Sequence, residues 1–354
     1  MRVLVLGGTG AMGSHLCRLL ARRGCEVVCT TRRERPASDG VSFIVGDAKS
    51  PAFLARLLEE RWGAVVDFMV RSTSEFCGLY RDFLAATDQY IFTSSYRVYA
   101  DSPVISEDSP RLLDVVDDAG YLATDEYALR KARCEDLLLQ SGYSNWTIVR
   151  PAVTYDGMSG RLQLGVFEAN DWLWRAMNGI PVPMPREMLG KQTTMSYGGD
   201  VAEMIARLIG NPEALGEAFT VSASDHMTWG EVSDAYARVL PFEVVECSLA
   251  DFERLRGGVY QIRYDRMLDR VVDNSKVLAA TRMDPKELTK MSEGLDRELR
   301  VYLDAGGRPA LSAGFQGKMD RLCGGLPSLG QVRRVGGPAS MAKYAVRWAL
   351  GARR

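Results

Sequence analysis

Histidine is almost absent from the 354 residues: only His15 and His226 occur, which excludes a histidine-built metal centre. The seven cysteines (17, 25, 29, 77, 134, 247 and 323) contain no CxxC pair. Neither a zinc site nor a disulfide frame is therefore expected, and the set reads as reduced thiols. No apolar run approaches the ~18 residues that span a bilayer. The opening stretch, Met1-Arg-Val-Leu-Val-Leu6, is broken at once by glycines and is too short for a signal peptide. Neither sign of charge is in surplus. Lys and Arg number 44 against 45 Asp and Glu, a formal -1, which argues against a general nucleic-acid binder. The expected setting is cytoplasmic, with no metal, no nucleic-acid partner and no membrane span.

What is present suits a buried core: 46% of residues are hydrophobic and 25% charged. The length predicts about two domains. Strands are predicted over 3–6, 26–31, 42–45, 64–70, 90–93 and 146–150, with helices over about 11–23, 51–62, 75–86 and 123–141 between them. This alternation predicts an α/β fold, a Rossmann-type doubly wound parallel sheet. The dinucleotide-binding domain is placed at 1–155, with 190–225 returning to it. A smaller, mixed substrate-binding part follows over 156–304, then an extension over 305–354. Dense glycine and proline from 305 to 337 predict a loose segment, and 339–350 a short basic amphipathic helix, expected to be packed or solvated, with a membrane surface or a partner as the alternative.

Between the first strand and first helix lies Gly7-Gly8-Thr9-Gly10-Ala11-Met12-Gly13, a GxxGxxG turn. Gly7 permits the turn, Gly10 lets a pyrophosphate approach the backbone, and Gly13 allows close helix-to-strand packing. Thr9, Ala11 and Met12 are expected to line the same site, with the helix N-terminus facing the anion. The second strand ends Thr31-Arg32-Arg33, where an NAD binder usually carries an acid. Guanidinium groups there suit a 2′-phosphate, so NADP is the expected cofactor and NAD the alternative. Asp47, after strand three, is placed for the adenine amino group, with Ala48 beside it.

Tyr127 and Lys131 stand at i and i+4, on one face of a predicted helix, so the ammonium can support a phenolate. About 0.3 such pairs are expected by chance from 14 tyrosines and 8 lysines, so the pair is weak alone. Its position after the fifth strand, where the crevice of such a sheet lies, strengthens it. That strand ends Thr93-Ser94-Ser95, placing hydroxyls at the sheet's carboxyl edge.

Together these features resemble the extended short-chain dehydrogenase/reductase family, the nucleotide-sugar epimerase and dehydratase group. The resemblance spans about residues 1–210, more loosely to 300, and the start is most similar to UDP-glucose 4-epimerases. It implies Ser95, Tyr127 and Lys131 as the catalytic set, with Tyr127 and Lys131 also touching the cofactor. Arg150-Pro151 matches the family's strand-six ending and places Pro151 at the cofactor. Strand four ends Asp67-Phe-Met69-Val-Arg71 where the family has His-Leu-Ala-Ala, so Met69 lines the nicotinamide wall and Arg71 is expected to meet substrate. Tyr96-Arg97 replaces the acid pair of the 4,6-dehydratases, which removes their general acid and turns Arg97 toward substrate. Arg161, Lys191 and Gln192 are further substrate candidates.

The leading expectation is an NAD(P)-dependent epimerase of a nucleotide-activated sugar working by transient hydride transfer. The alternatives are an NADPH-dependent reductase of a keto-sugar or other carbonyl compound, and a non-catalytic redox-sensing or RNA-associated relative. A homodimer is expected through the helices near 75–87 and 123–141.

Overall fold

The computed structural model describes residues 1–350. Seven parallel strands form the central sheet: β1 (Arg2–Leu6), β2 (Glu26–Thr31), β3 (Val41–Val45), β4 (Ala64–Asp67), β5 (Tyr90–Thr93), β6 (Trp146–Pro151) and β7 (Glu217–Val221). Their order across the sheet is β3-β2-β1-β4-β5-β6-β7. In register, Val3 of β1 stands opposite Val27 on one side and Ala64 on the other. The unbroken apolar run of β1 follows from cover on both faces. Val3 and Val5 enter one core with Leu16 and Leu20, while Leu4 and Leu6 enter a second with Phe53, Leu54 and Phe76.

Local chemistry sets the flanking helices. α1 (Gly13–Arg22) buries Leu16, Cys17 and Leu20. α2 (Pro51–Leu58) starts where the Ser50 side chain accepts from the Phe53 N–H, with proline in its first turn. The helix predicted over 75–86 is two, Thr73–Cys77 and Tyr80–Ala85, separated at Gly78. α3 (Tyr127–Leu139) begins four residues later than predicted, because Glu126 serves as its N-cap and accepts from the Ala128 N–H. β4 stops at Asp67 rather than residue 70, where the Asp67 carboxylate takes the Met69 N–H at 2.9 Å and turns the chain. β7 was not foreseen; it pairs with β6 from Glu217–Thr147 to Val221–Pro151.

By internal contacts the chain divides into two units. The first holds the sheet and comprises Met1–Thr154, Thr194–Asp225 and Val271–Lys290. The second comprises Tyr155–Thr193, His226–Arg270 and the described residues from Met291 onward. Within it, Val182–Pro185 pairs in parallel with Val244–Cys247. The segment expected to be loose is instead largely helical: α4 (Ala313–Leu322) and α5 (Leu329–Leu350), the latter bent at Gly337 (φ 64°) before Pro338. Two long-range features account for its order. Trp174, Ile180, Ala313, Val332 and Tyr344 form a core of their own. Beneath it the buried Asp320 carboxylate accepts from Arg175, the Ser328 N–H and hydroxyl, and the Tyr344 hydroxyl. Among the described residues no helix is long and apolar enough to cross a membrane.

Candidate active site

The glycine turn carries out three separate steric tasks. Gly7 takes φ 72°, and a Cβ there would lie 2.8 Å from Met69 Sδ. A Cβ at Gly13 would lie 2.5 Å from Gly8 Cα, so helix and turn touch backbone to backbone. At Gly10 the same position meets no atom within 4 Å. Gly7 and Gly13 are needed by the protein itself, whereas Gly10 leaves room for something else. α1 has no acid in its first turn and no side-chain cap, so its leading N–H groups are free of a competing anion. Thr9 is exposed and Ala11 and Met12 half-buried around that space.

At the end of β2 the buried Thr31 hydroxyl donates to the Arg33 carbonyl at 2.9 Å and accepts the Arg33 N–H at 3.3 Å. This small turn presents Arg32 and Arg33 to solvent. Asp47 is exposed and takes the Lys49 N–H at 2.9 Å, while Ala48 is buried. These residues and the open face of Gly10 form a set that fits a dinucleotide carrying phosphates.

Arg71 does not stand where it was expected. Only 4% exposed, it donates to Asp67 at 3.3 Å and to the Ala48 carbonyl at 2.8 Å. The Tyr90 hydroxyl donates to the same Asp67 oxygen, Oδ2, at 3.0 Å. Burial, and then the Asp67 charge, pushes the Tyr90 phenol well up, so it remains a neutral donor. Arg71 is thus a strut between β4 and the turn after β3, with its Nη2 left buried and without a hydrogen-bond partner among the described residues. Asp67 was missed as a partner; its only sequence signal is an acid closing an apolar strand four residues before an arginine.

The catalytic candidates meet at the carboxyl end of β5. Lys131 is buried, donates to the Thr93 carbonyl at 2.5 Å, and holds its ammonium 6.0 Å from the centre of the Tyr127 ring. Ser95 is buried, and its Oγ accepts the Arg97 N–H at 3.2 Å. Arg97 holds its guanidinium carbon 5.2 Å from the Tyr127 ring centre and donates to Glu126 at 2.8 Å. Glu126 also accepts from the Tyr121 hydroxyl at 3.2 Å. Its role as cap and counter-ion was missed, although an acid directly before the helix was visible. Thr93 Oγ1 and Ser94 Oγ are buried without a hydrogen-bond partner among the described residues. Orphaned hydroxyls at a sheet edge are the sign of a place that a ligand completes. Pro151 lies buried at the end of β6.

The remaining substrate candidates belong to the second unit. Arg161 is exposed and pairs by backbone with Asp156. Lys191 lies 3.4 Å from Asp269, and the Gln192 N–H donates to the same carboxylate at 2.9 Å. Of the apolar side chains expected to pair two copies, Phe76, Tyr80, Phe83, Leu129 and Leu138 are buried within the chain itself, whereas Leu79, Leu122 and Leu137 are half-buried.

Comparison with known proteins agrees with the fold. Residues 3–77 match the model of the NAD dependent epimerase/dehydratase family. A UDP-glucose 4-epimerase of Klebsiella pneumoniae is 32% identical over 136 residues, 30% of this chain and 96% of that protein. The chloroplast stem-loop binding protein of 41 kDa b from Arabidopsis thaliana is 26% identical over 273 residues, covering 71% and 67% of the two chains. Among solved structures, an epimerase of Methanothermobacter thermautotrophicus superposes with a TM-score of 0.67 at 17% identity, over 86% of this chain and 93% of that one. On the fold, the glycine turn and these likenesses together, the chain belongs to the NAD dependent epimerase/dehydratase family.

Proposed function

We propose that this chain catalyses reversible hydride transfer at a carbon of a nucleotide-activated sugar, as an epimerase, with NADP(H) as its preferred cofactor. The observation that carries the reading is the cluster at β5: the buried Lys131 is held by the Thr93 carbonyl near the Tyr127 ring, on a strand end whose Thr93 and Ser94 hydroxyls are buried without a partner among the described residues. A bound nicotinamide supplies the acceptor and donor of the hydride. Tyr127 takes the proton of the sugar hydroxyl as it becomes a carbonyl, and returns it when the carbonyl is reduced. The Lys131 ammonium, fixed by the Thr93 carbonyl, supports the negative charge that develops on the phenolic oxygen. Ser95 accepts from the Arg97 N–H, which leaves its own hydroxyl hydrogen to donate to the reacting oxygen. Arg97 brings a second cation to the ring, balanced by Glu126. Epimerisation follows if the keto sugar turns over before it is reduced from its other face.

The preference for NADP(H) rests on Arg32 and Arg33 standing exposed where an acid would accept the ribose hydroxyls. A panel of UDP-, GDP- and dTDP-sugars, followed for both isomer formation and cofactor absorbance, tests the reading. Isomers without net cofactor change support it. Stoichiometric oxidation of NADPH with a keto compound would instead assign a reductase.

A second reading, binding of structured RNA, is favoured by the likeness to the Arabidopsis stem-loop binding protein. Tight, saturable binding of a stem-loop RNA by a chain that turns over no sugar nucleotide would select it.

A further inference from the structure

An ordinary surface helix is apolar toward the core and polar on the opposite side. The segment of α5 after its bend departs from that rule. Tyr344 is buried, and Met341 and Trp348 pack inward with it against the local core. Trp348 is fixed there by donating to the Gly325 carbonyl at 3.0 Å and by Arg321 lying 5.0 Å from its ring centre. The outward side should therefore be polar. It carries instead Ala339, Ala342, Val346, Ala349 and Leu350, all exposed, with Val346 at 52% and Leu350 at 46%. Lys343 and Arg347, both exposed, flank this stripe along one edge.

The charge around the stripe has one sign. From residue 321 to 350 the sequence has five arginines and lysines and no acid, although the whole chain is balanced at -1. A groove of about 800 Å³ between α4 and α5 continues the pattern: it is lined by Lys318, Lys343, Arg347, Phe315 and Val346, and no acid among the described residues lines it. A second copy cannot meet this face squarely, because cations would oppose cations. A polyanion such as RNA would use the cations but gain little from exposed aliphatic side chains. A surface offering both negative charge and an apolar layer uses both.

We propose that the outer face of α5, residues 339–350, docks in the plane of an anionic phospholipid bilayer. Val346 and Leu350 enter the acyl boundary, and Lys343 and Arg347 remain at the headgroups. This is attachment at the surface, by one face of a helix whose other face stays packed on its own core.

Co-sedimentation of the full chain with vesicles tests it. Binding is expected to vesicles of phosphatidylcholine mixed with phosphatidylglycerol, to weaken at high salt, and to be absent with phosphatidylcholine alone. Lys343→Gln with Arg347→Gln should weaken binding about fivefold per cation, roughly 25-fold together. Val346→Ser with Leu350→Ser should also release the chain from vesicles while its circular dichroism stays unchanged. No binding to anionic vesicles, or equal binding to neutral ones, overturns the proposal, and the unsubstituted chain alone decides that. Single-stranded RNA serves as the rival probe. If it is bound as tightly as anionic vesicles and the serine pair leaves vesicle binding intact, the face is a polyanion site and the proposal falls.

Discussion

Replacing Gly10 and Gly13 separately by alanine divides what the fold needs from what the cofactor needs. At Gly10 the added methyl meets no protein atom within 4 Å, so the free protein should fold as before. Its stability should change by less than ~1 kcal/mol, with a slight gain because alanine has fewer unfolded conformations to lose. A methyl in that space, however, keeps a pyrophosphate off the N–H groups at the start of α1. Each charge-assisted hydrogen bond lost costs about 1.5–3 kcal/mol, so Kd should rise roughly ten- to a hundredfold. At Gly13 the methyl would stand 2.5 Å from Gly8 Cα and 2.7 Å from its carbonyl carbon, backbone atoms that cannot swing aside. Overpacking there should cost about 1–3 kcal/mol of stability with or without ligand. Thermal melts of the free variants and calorimetric titration with NADPH separate the two effects. Should Gly10→Ala bind NADPH with parental affinity, or melt as early as Gly13→Ala without it, the reasoning about the turn is wrong.

Further perturbations probe other parts of the site. Calorimetry should show NADP(H) binding at least about tenfold more tightly than NAD(H), a difference lost when Arg32 and Arg33 are both made Ser. Arg71→Met leaves the buried Asp67 carboxylate without its cation and the Ala48 carbonyl without its donor, so urea unfolding should show a loss of about 3 kcal/mol or more. The double change Arg71→Met with Asp67→Asn should recover part of that loss, since no buried charge is then left alone. Acid should destabilise the chain through two carboxylates near the start of α3 and the preceding helices. The Ser72 backbone N–H holds Glu75 below its ordinary value. Asp125 is pushed up by burial, yet hydrogen bonds from Thr73 and the charges of Arg130 and Arg133 hold it down overall. Because both folded values lie below the unfolded ones, near ~4, this stability is present at neutral pH and is lost as pH falls through the folded values. Melting temperature should be flat from about pH 7 to 5 and drop below about 4, less steeply in Glu75→Gln.

The parts legible in the sequence are those fixed by near neighbours. β1 could be read because cover on both faces demands an unbroken apolar run, and the glycine turn because it joins that strand to an amphipathic helix. Tyr127 and Lys131 could be paired because helical spacing alone puts them on one face. β7 escaped because Glu217–Val221 is short and begins with an exposed acid, and only its pairing with β6 makes it a strand. The helix over 339–350 was legible, but the order of α4 and of α5 before its bend was hidden for the same reason: Asp320 finds Arg175 across 145 positions of chain. Arg71 was expected at the substrate because it follows strand four where the resemblance puts the nicotinamide wall. Its partners, Asp67, Tyr90 and Ala48, come together only when β3, β4 and β5 are side by side.

The central claim is that Tyr127 moves the proton during hydride transfer, and one pair of measurements on Tyr127→Phe tests it most directly. Turnover of a sugar nucleotide that the unsubstituted chain converts should fall by ~10²–10⁴-fold, the range for a positioned acid–base group. NADPH affinity, measured on the same sample, should stay near the parental value because the ring is retained. Parental turnover by Tyr127→Phe on that substrate would contradict the account.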